Sequence, residues 1–80
     1  MSYTRNDMKY AVILTQDEEG NWLASVPAFV GCHTYGQTRE EALANAQEAV
    51  EGCIESLRAS GDPLPKEPSP PEIQFVQAGV

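Results

Sequence analysis

Residues 38–61 decide the fold, and they read TREEALANAQEAVEGCIESLRASG. The first four have the spacing of a capping box, in which the hydroxyl of Thr38 accepts a hydrogen bond from the backbone N–H of Glu41. Gly61 can adopt the left-handed conformation that ends a helix, and Pro63 cannot continue one. The stretch therefore predicts one helix over residues 39–60. Its apolar or small residues recur with the period of a single helix face: Ala42, Leu43, Ala46, Ala49, Val50, Cys53, Ile54 and Leu57.

Three β-prone segments precede this helix. Residues 9–16, KYAVILTQ, are apolar almost throughout, which is typical of a strand covered on both faces. A polar turn ending in Gly20 leads to a second strand over residues 22–26, and a short third strand is predicted over residues 32–35. Neither a meander nor a lone helix is stable in water, so the helix must pack on one face of the sheet. The predicted fold is α+β, a three-stranded antiparallel meander with one long helix.

The chain divides by composition into four parts. Residues 1–7 are expected to form a flexible leader and residues 8–61 the α/β domain. Residues 62–72 hold five of the six prolines and predict a stiff linker. Residues 73–80 form a C-terminal strand or tail. Its β-prone segment 73–76 is a probable short fourth strand, either on the same sheet or on the sheet edge of a neighbouring subunit.

Length and charge narrow the classes of function. Eighty residues suffice for one domain with a small core, which self-association would help to stabilise. The net charge of −7 repels phosphate backbones, so a basic protein is the natural partner and direct nucleic-acid binding is not expected. No apolar run approaches the roughly 20 residues that a membrane span needs. Two cysteines are too few for a secreted disulfide framework, so we expect a cytoplasmic protein.

No residue pattern assembles a catalytic set. His33 is the sole histidine and has no second motif element beside it. A metal site built from Cys32, His33 and Cys53 would lack a ligand and has no recognised spacing. The sequence leaves a Cys32–Cys53 disulfide open without calling for one. We therefore expect no enzyme activity, cofactor or metal. A minimal nuclease is the least favoured alternative, because the acidic residues lie in a turn and on the solvent side of the helix.

A family resemblance lies in residues 27–43, PAFVGCHTYGQTREEAL, and in residues 45–49, NAQEA. They resemble the signature of the HicB antitoxins, which reads approximately P-x-x-x-G-C-x-T-x-G-x-T-x-E-E-A followed by N-A-x-E-A. The resemblance covers about residues 8–70. Ala28 stands where family members often carry an aspartate.

The resemblance implies a partial ribonuclease H-like fold of β-β-β-α-β order without the catalytic acids of the nuclease. It also implies a binding role, since HicB proteins form dimers or larger oligomers and cover the mRNA-cleaving histidine of the small basic toxin HicA. Many HicB proteins also carry a C-terminal DNA-binding domain. The last residues of this sequence are neither basic nor numerous enough for one, so DNA binding is not expected.

These observations lead to one primary hypothesis and one alternative. The primary hypothesis is an antitoxin-like protein that inhibits a HicA-type ribonuclease. The alternative is a stand-alone interaction domain, a homo-oligomer such as a dimer or tetramer, with no toxin partner. Acidic side chains would carry the electrostatic part of partner binding, and five are predicted to do so: Asp17, Glu18, Glu19, Glu40 and Glu41.

Overall fold

A computed structural model describes residues 9–66 and 70–79. Three strands, β1 (Ile13–Gln16), β2 (Trp22–Ser25) and β3 (His33–Gly36), are followed by the helix α1 (Arg39–Ser60). The strands form one antiparallel sheet in the order β1-β2-β3, and α1 packs on one face of it, over β2 and β3. The predicted α+β meander with a single covering helix is confirmed.

The helix has the predicted bounds because both of its ends are capped by local groups. The Thr38 hydroxyl accepts from the backbone N–H of Glu41 at 3.0 Å. Gly61 takes a φ of 75°, and its N–H donates to the Arg58 carbonyl at 3.1 Å. The following N–H donates to the Leu57 carbonyl at 2.9 Å. Together these two bonds make a Schellman ending, which requires a residue that tolerates positive φ.

The strands differ from the prediction at their ends. β1 begins at Ile13 instead of residue 9, and β2 ends at Ser25 instead of residue 26. Ile13 pairs with Ser25, so continuing the register would set Ala11 opposite Pro27. A proline has no N–H to give to the ladder, so one of the two hydrogen bonds at that position cannot form and the regular strand ends. β3 is shifted by one residue, to His33–Gly36.

The probable fourth strand is not formed. Residues 70–79 make no strand, and the side chains of Ile73, Phe75 and Val76 are 75%, 91% and 92% exposed. The predicted leader, residues 1–7, and residues 67–69 of the predicted linker lie outside the described part of the chain.

The register assigns each strand residue to one of two sheet faces. Leu14, Ala24 and Thr34 form one cross-strand row. This row faces the helix, because Ala24 is fully buried and the Thr34 hydroxyl donates to the carbonyl of Ala42 at 3.1 Å. The core beneath the helix is small. Its buried residues within the described chain are Ala24, Val26, Phe29, Cys32, Ala42 and Ala46.

The other sheet face, which we call the open face, has no helix over it. Its rows run Ile13–Ser25–His33 and Thr15–Leu23–Tyr35. Ile13 and Leu23 are half-buried and lie outside the core cluster, while Tyr35 is 67% exposed. The prediction that the first strand is covered on both faces is therefore wrong for the described chain, which covers only one.

Candidate functional site

The acidic residues predicted to bind a partner lie at one end of the sheet. Gln16, Trp22 and Gly36 are in register across the three strands. The β1–β2 turn follows Gln16, and α1 begins shortly after Gly36. Both connections therefore leave the sheet at the same end. We call this the acidic end and define it by Asp17, Glu18, Glu19, Glu40 and Glu41.

The β1–β2 turn is organised by the carboxylate of Asp17. One oxygen, Oδ1, accepts from the backbone N–H groups of Glu19 and Asn21, both at 2.9 Å. The carbonyl of Asp17 accepts from the N–H of Gly20 at 3.1 Å, and Gly20 has a φ of 90°. Asp17 thus has a structural role in the turn, whereas the side chains of Glu18 and Glu19 project into solvent.

The two acidic residues in the first turn of the helix also differ in role: one carboxylate bonds to the backbone, and the other is exposed. Glu41 Oε1 accepts from the backbone N–H of Gln37 at 3.1 Å, a variant of the capping box in which the donor is the residue before the N-cap Thr38 instead of Thr38 itself. Glu40 is 81% exposed and lies 4.0 Å from the guanidinium of Arg39. An exposed ion pair of this kind contributes little to stability. Glu40 is therefore available to an incoming cationic side chain.

An open cleft joins the turn to the helix start and has a volume of about 390 Å³. It brings together two of the five predicted residues, and Glu18, Glu19 and Glu40 are not among its lining residues. The cleft is lined by Asp17, Asn21, Tyr35, Gly36, Gln37 and Glu41.

Tyr35 lies where the cleft meets the open face: its side chain lines the cleft and belongs to a row of the open face. No motif in the sequence points to this residue. The period-2 alternation of β3 contained the signal, since Thr34 and Gly36 face the helix and Tyr35 must face away. A half-exposed apolar surface thus lies directly beside the acidic end.

His33 has a partner that the sequence did not reveal. Its Nδ1 lies 3.0 Å from the hydroxyl of Ser25, its cross-strand neighbour on the open face. A hydroxyl nucleophile and a base need a third group to orient the base. Within residues 9–66 and 70–79, no carboxylate is hydrogen-bonded to this imidazole. The pair has the geometry of a cross-strand surface contact.

The two cysteines are free and adjacent inside the fold. Burial raises the pKa of the Cys32 thiol, and the neighbouring Cys53 raises it further through charge and a side-chain hydrogen bond. Cys32 thus stays a protonated thiol at neutral pH, a poor nucleophile and a poor metal ligand. In the described part of the chain, no three His, Cys, Asp or Glu side chains cluster in a way that would hold a metal ion.

No helix in the described residues is both long and apolar enough to span a membrane.

Comparison with known proteins gives a family, relatives and a solved structure. Residues 10–78 match the family described as HicB_like antitoxin of bacterial toxin-antitoxin system. A UPF0150 protein of Thermoplasma acidophilum is 47% identical over 60 residues, which are 75% of this chain and 87% of that protein. A UPF0150 protein of Synechocystis sp. is 47% identical over 58 residues, 72% of this chain and 73% of that protein.

The solved structure is the N-terminal domain of the Burkholderia pseudomallei antitoxin HicB. It superposes with a TM-score of 0.61 and 24% identity, covering 85% of this chain and 69% of the other. At that identity the likeness shows a shared fold.

Proposed function

Because the chain belongs to the HicB-like antitoxin family of bacterial toxin-antitoxin systems, we propose that it neutralises a HicA-type toxin by covering the site where that enzyme cleaves mRNA. In this proposal the chain acts by binding and performs no chemistry of its own. It works in the cytoplasm as a homo-oligomer.

The observation that carries the proposal is the adjacency of the acidic end and the open face. Tyr35 belongs to both, so an apolar contact area lies beside a cluster of carboxylates. Protein interfaces commonly combine an apolar centre rich in aromatic residues with a polar rim. A nuclease surface that binds RNA is basic, and the carboxylates complement it.

The two parts of this surface contribute differently. Exposed ion pairs each contribute about 1 kcal/mol or less, so the acidic end mainly steers the encounter and sets orientation. Desolvation of Tyr35 and Leu23 provides the larger part of the affinity, because buried aromatic anchors dominate interface energies. We therefore expect salt to slow association strongly and to change dissociation little.

Among the acidic residues, three are suited to intermolecular contact. The carboxylates of Asp17 and Glu41 each accept hydrogen bonds from their own backbone. Replacing them would disturb the turn or the helix cap as well as the partner surface. Glu18, Glu19 and Glu40 are exposed and hold no such backbone bond. They are the residues on which binding can be tested without changing the fold.

The experiment measures RNA cleavage by a HicA-type toxin at increasing ratios of this protein. Wild-type protein is expected to abolish cleavage near equimolar amounts. The double variant Glu18→Lys and Glu19→Lys is expected to bind at least about tenfold more weakly, a loss of about 1.4 kcal/mol spread over two contacts. Biolayer interferometry at two salt concentrations separates the association rate from the dissociation rate.

The matched control is Glu51→Lys with Glu55→Lys. It changes the net charge by the same amount, but both residues are exposed on the second half of α1, about 15 Å or more along the helix from its acidic first turn. Equal weakening by both double variants would mean that net charge, and not the acidic end, attracts the toxin. Unhindered cleavage in excess wild-type protein would refute the proposal and favour the stand-alone oligomeric domain.

A further inference from the structure

The C-terminal segment carries large apolar side chains that the rest of the described chain leaves uncovered. Ile73, Phe75 and Val76 are 75–92% exposed. The segment therefore lies outside the core of the domain. Exposed phenylalanine, isoleucine and valine so close in sequence are unusual for a free surface and are typical of a segment that binds something.

β1 forms one edge of the sheet, and this edge is open within the described chain. The N–H of Val26 donates to the carbonyl of Cys32. In an antiparallel pair, every second residue from that position also bonds to the partner strand, and the residues between them point their backbone groups the other way. By this alternation the β2 residues Leu23 and Ser25 bond to β1. The backbone groups of Leu14 and Gln16 then point away from β2, and within the described chain nothing pairs with them.

The opposite edge, formed by β3, is partly covered by the helix. The same alternation points the backbone groups of Tyr35 outwards from β3. There the Tyr35 carbonyl accepts a hydrogen bond from the side-chain amide of Asn45, on α1, at 2.8 Å. The helix thus covers the β3 edge at Tyr35, whereas no hydrogen bond within the described chain covers the outward backbone groups of Leu14 and Gln16 on β1.

The open edge and the exposed segment match in their pattern. β1 places Ile13 on the open face and Leu14 on the helix face, and both are only half-buried. An extended segment places Phe75 and Val76 on opposite faces as well. Pairing the two would extend the sheet and bury apolar area on both of its faces.

We propose that residues 73–76 of one copy add as a strand to the β1 edge of a second copy, and that the exchange is reciprocal. The occupant is a second copy because each chain presents one such segment and one such edge. When two chains exchange their segments, each segment pairs with the other chain's β1 edge, and the result is a closed dimer with no β1 edge or segment left over. The small core of the single domain gives this association its driving force. The inference does not depend on a toxin.

The experiment measures the mass of the full chain by sedimentation over a range of concentrations, with no toxin present. Gln74→Pro places a residue without a backbone N–H in the middle of the pairing segment and leaves the apolar side chains in place. Wild-type protein is expected to be a dimer. The substitution is expected to raise the dimer Kd about tenfold for each tail, and so about a hundredfold per dimer.

The matched control is Gln77→Pro, an equally exposed glutamine outside the pairing segment, which is expected to leave the Kd close to wild type. Far-UV circular dichroism verifies that the helix is intact in each variant. A wild-type dimer that Gln74→Pro does not weaken would overturn the proposal. So would a monomeric wild-type protein that Gln74→Pro destabilises, because the segment would then pair within its own chain.

Discussion

Replacing Gly36 by alanine tests the contact that joins the sheet to the helix. Gly36 is buried at the end of β3, where the chain turns into α1. A Cβ atom added there would lie 2.4 Å from the backbone nitrogen of Ala42. It would also lie 2.9 Å from the Cα of Ala42 and from the carbonyl carbon of Glu41. All three neighbours are backbone atoms, so no side-chain rotation can relieve the clash.

The magnitude follows from the displacement required. Ordinary carbon contacts lie near 3.5–4 Å, so the first turn of α1 must move by roughly 1 Å from β3. Overpacking of this kind costs about 1–3 kcal/mol. Alanine also lowers the conformational entropy of the unfolded chain relative to glycine, which offsets about 0.4–1 kcal/mol of this cost. We expect Gly36→Ala to lower the free energy of unfolding by about 1–2 kcal/mol, and Tm by about 4–8 °C for each kcal/mol.

Urea unfolding followed by far-UV circular dichroism measures this loss. All variants are compared at one protein concentration, because association of the native state stabilises it by mass action. Gly52→Ala is the matched control, since a Cβ there meets no atom within 4 Å. Because Gly52 lies at an exposed position in the interior of α1, the Gly52→Ala substitution should stabilise the protein by about 0.5–1 kcal/mol. If Gly36→Ala were also stabilising, the close approach of β3 to α1 would be refuted.

Three further predictions concern the helix cap and the buried thiol. Thr38→Ala should cost about 1 kcal/mol of stability, because the capped backbone N–H loses its acceptor, whereas Thr38→Ser should keep most of it; thermal unfolding of both variants measures the difference. Iodoacetamide should modify Cys53 before Cys32, because burial raises the pKa of Cys32 and keeps it protonated; mass spectrometry of the alkylated peptides measures the order. The stabilising contribution of the protonated Cys32 is complete below the ordinary thiol pKa and is lost as the pH rises through its higher folded-state value, so Cys32→Ala should flatten that alkaline decline in urea titrations at increasing pH.

The helix was predictable because its signals are local. Thr38 and Glu41 are three residues apart, and the Gly61 ending lies within six residues of the carbonyls that it satisfies. Each cap is encoded by neighbours in sequence, which an inspection of the sequence can find. The strand ends were predicted less well. β1 starts at Ile13 because Pro27 comes opposite Ala11, and that opposition depends on a register that no local pattern specifies.

The candidate site, too, was predictable only in the features that are encoded locally in the sequence. Acidic residues in the turn and at the helix start are visible in the sequence. Their placement at one end of the sheet follows from the alignment of Gln16, Trp22 and Gly36, which is a tertiary fact. The role of Asp17 was hidden. Its carboxylate bonds to the backbone of its own turn while Glu18 is left exposed, and composition cannot distinguish the two. The capping-box spacing, by contrast, already indicates a backbone bond for Glu41.

An apolar first strand with a helix over only one sheet face has a consequence for the whole chain. The sequence of β1 is suited to burial on both faces, yet the described residues cover one. The uncovered apolar area divides between two places. Tyr35 lies on β3, and Ile13 lies on β1 at the opposite edge of the sheet. The acidic end adjoins both, because Glu18 and Glu19 follow β1 in the β1–β2 turn whereas Glu40 lies at the start of α1, after β3. The two assays nevertheless measure different contacts, since sedimentation without a toxin tests strand pairing at the β1 edge and RNA cleavage tests the acidic end with Tyr35. The failure of one proposal would therefore leave the physical argument for the other intact.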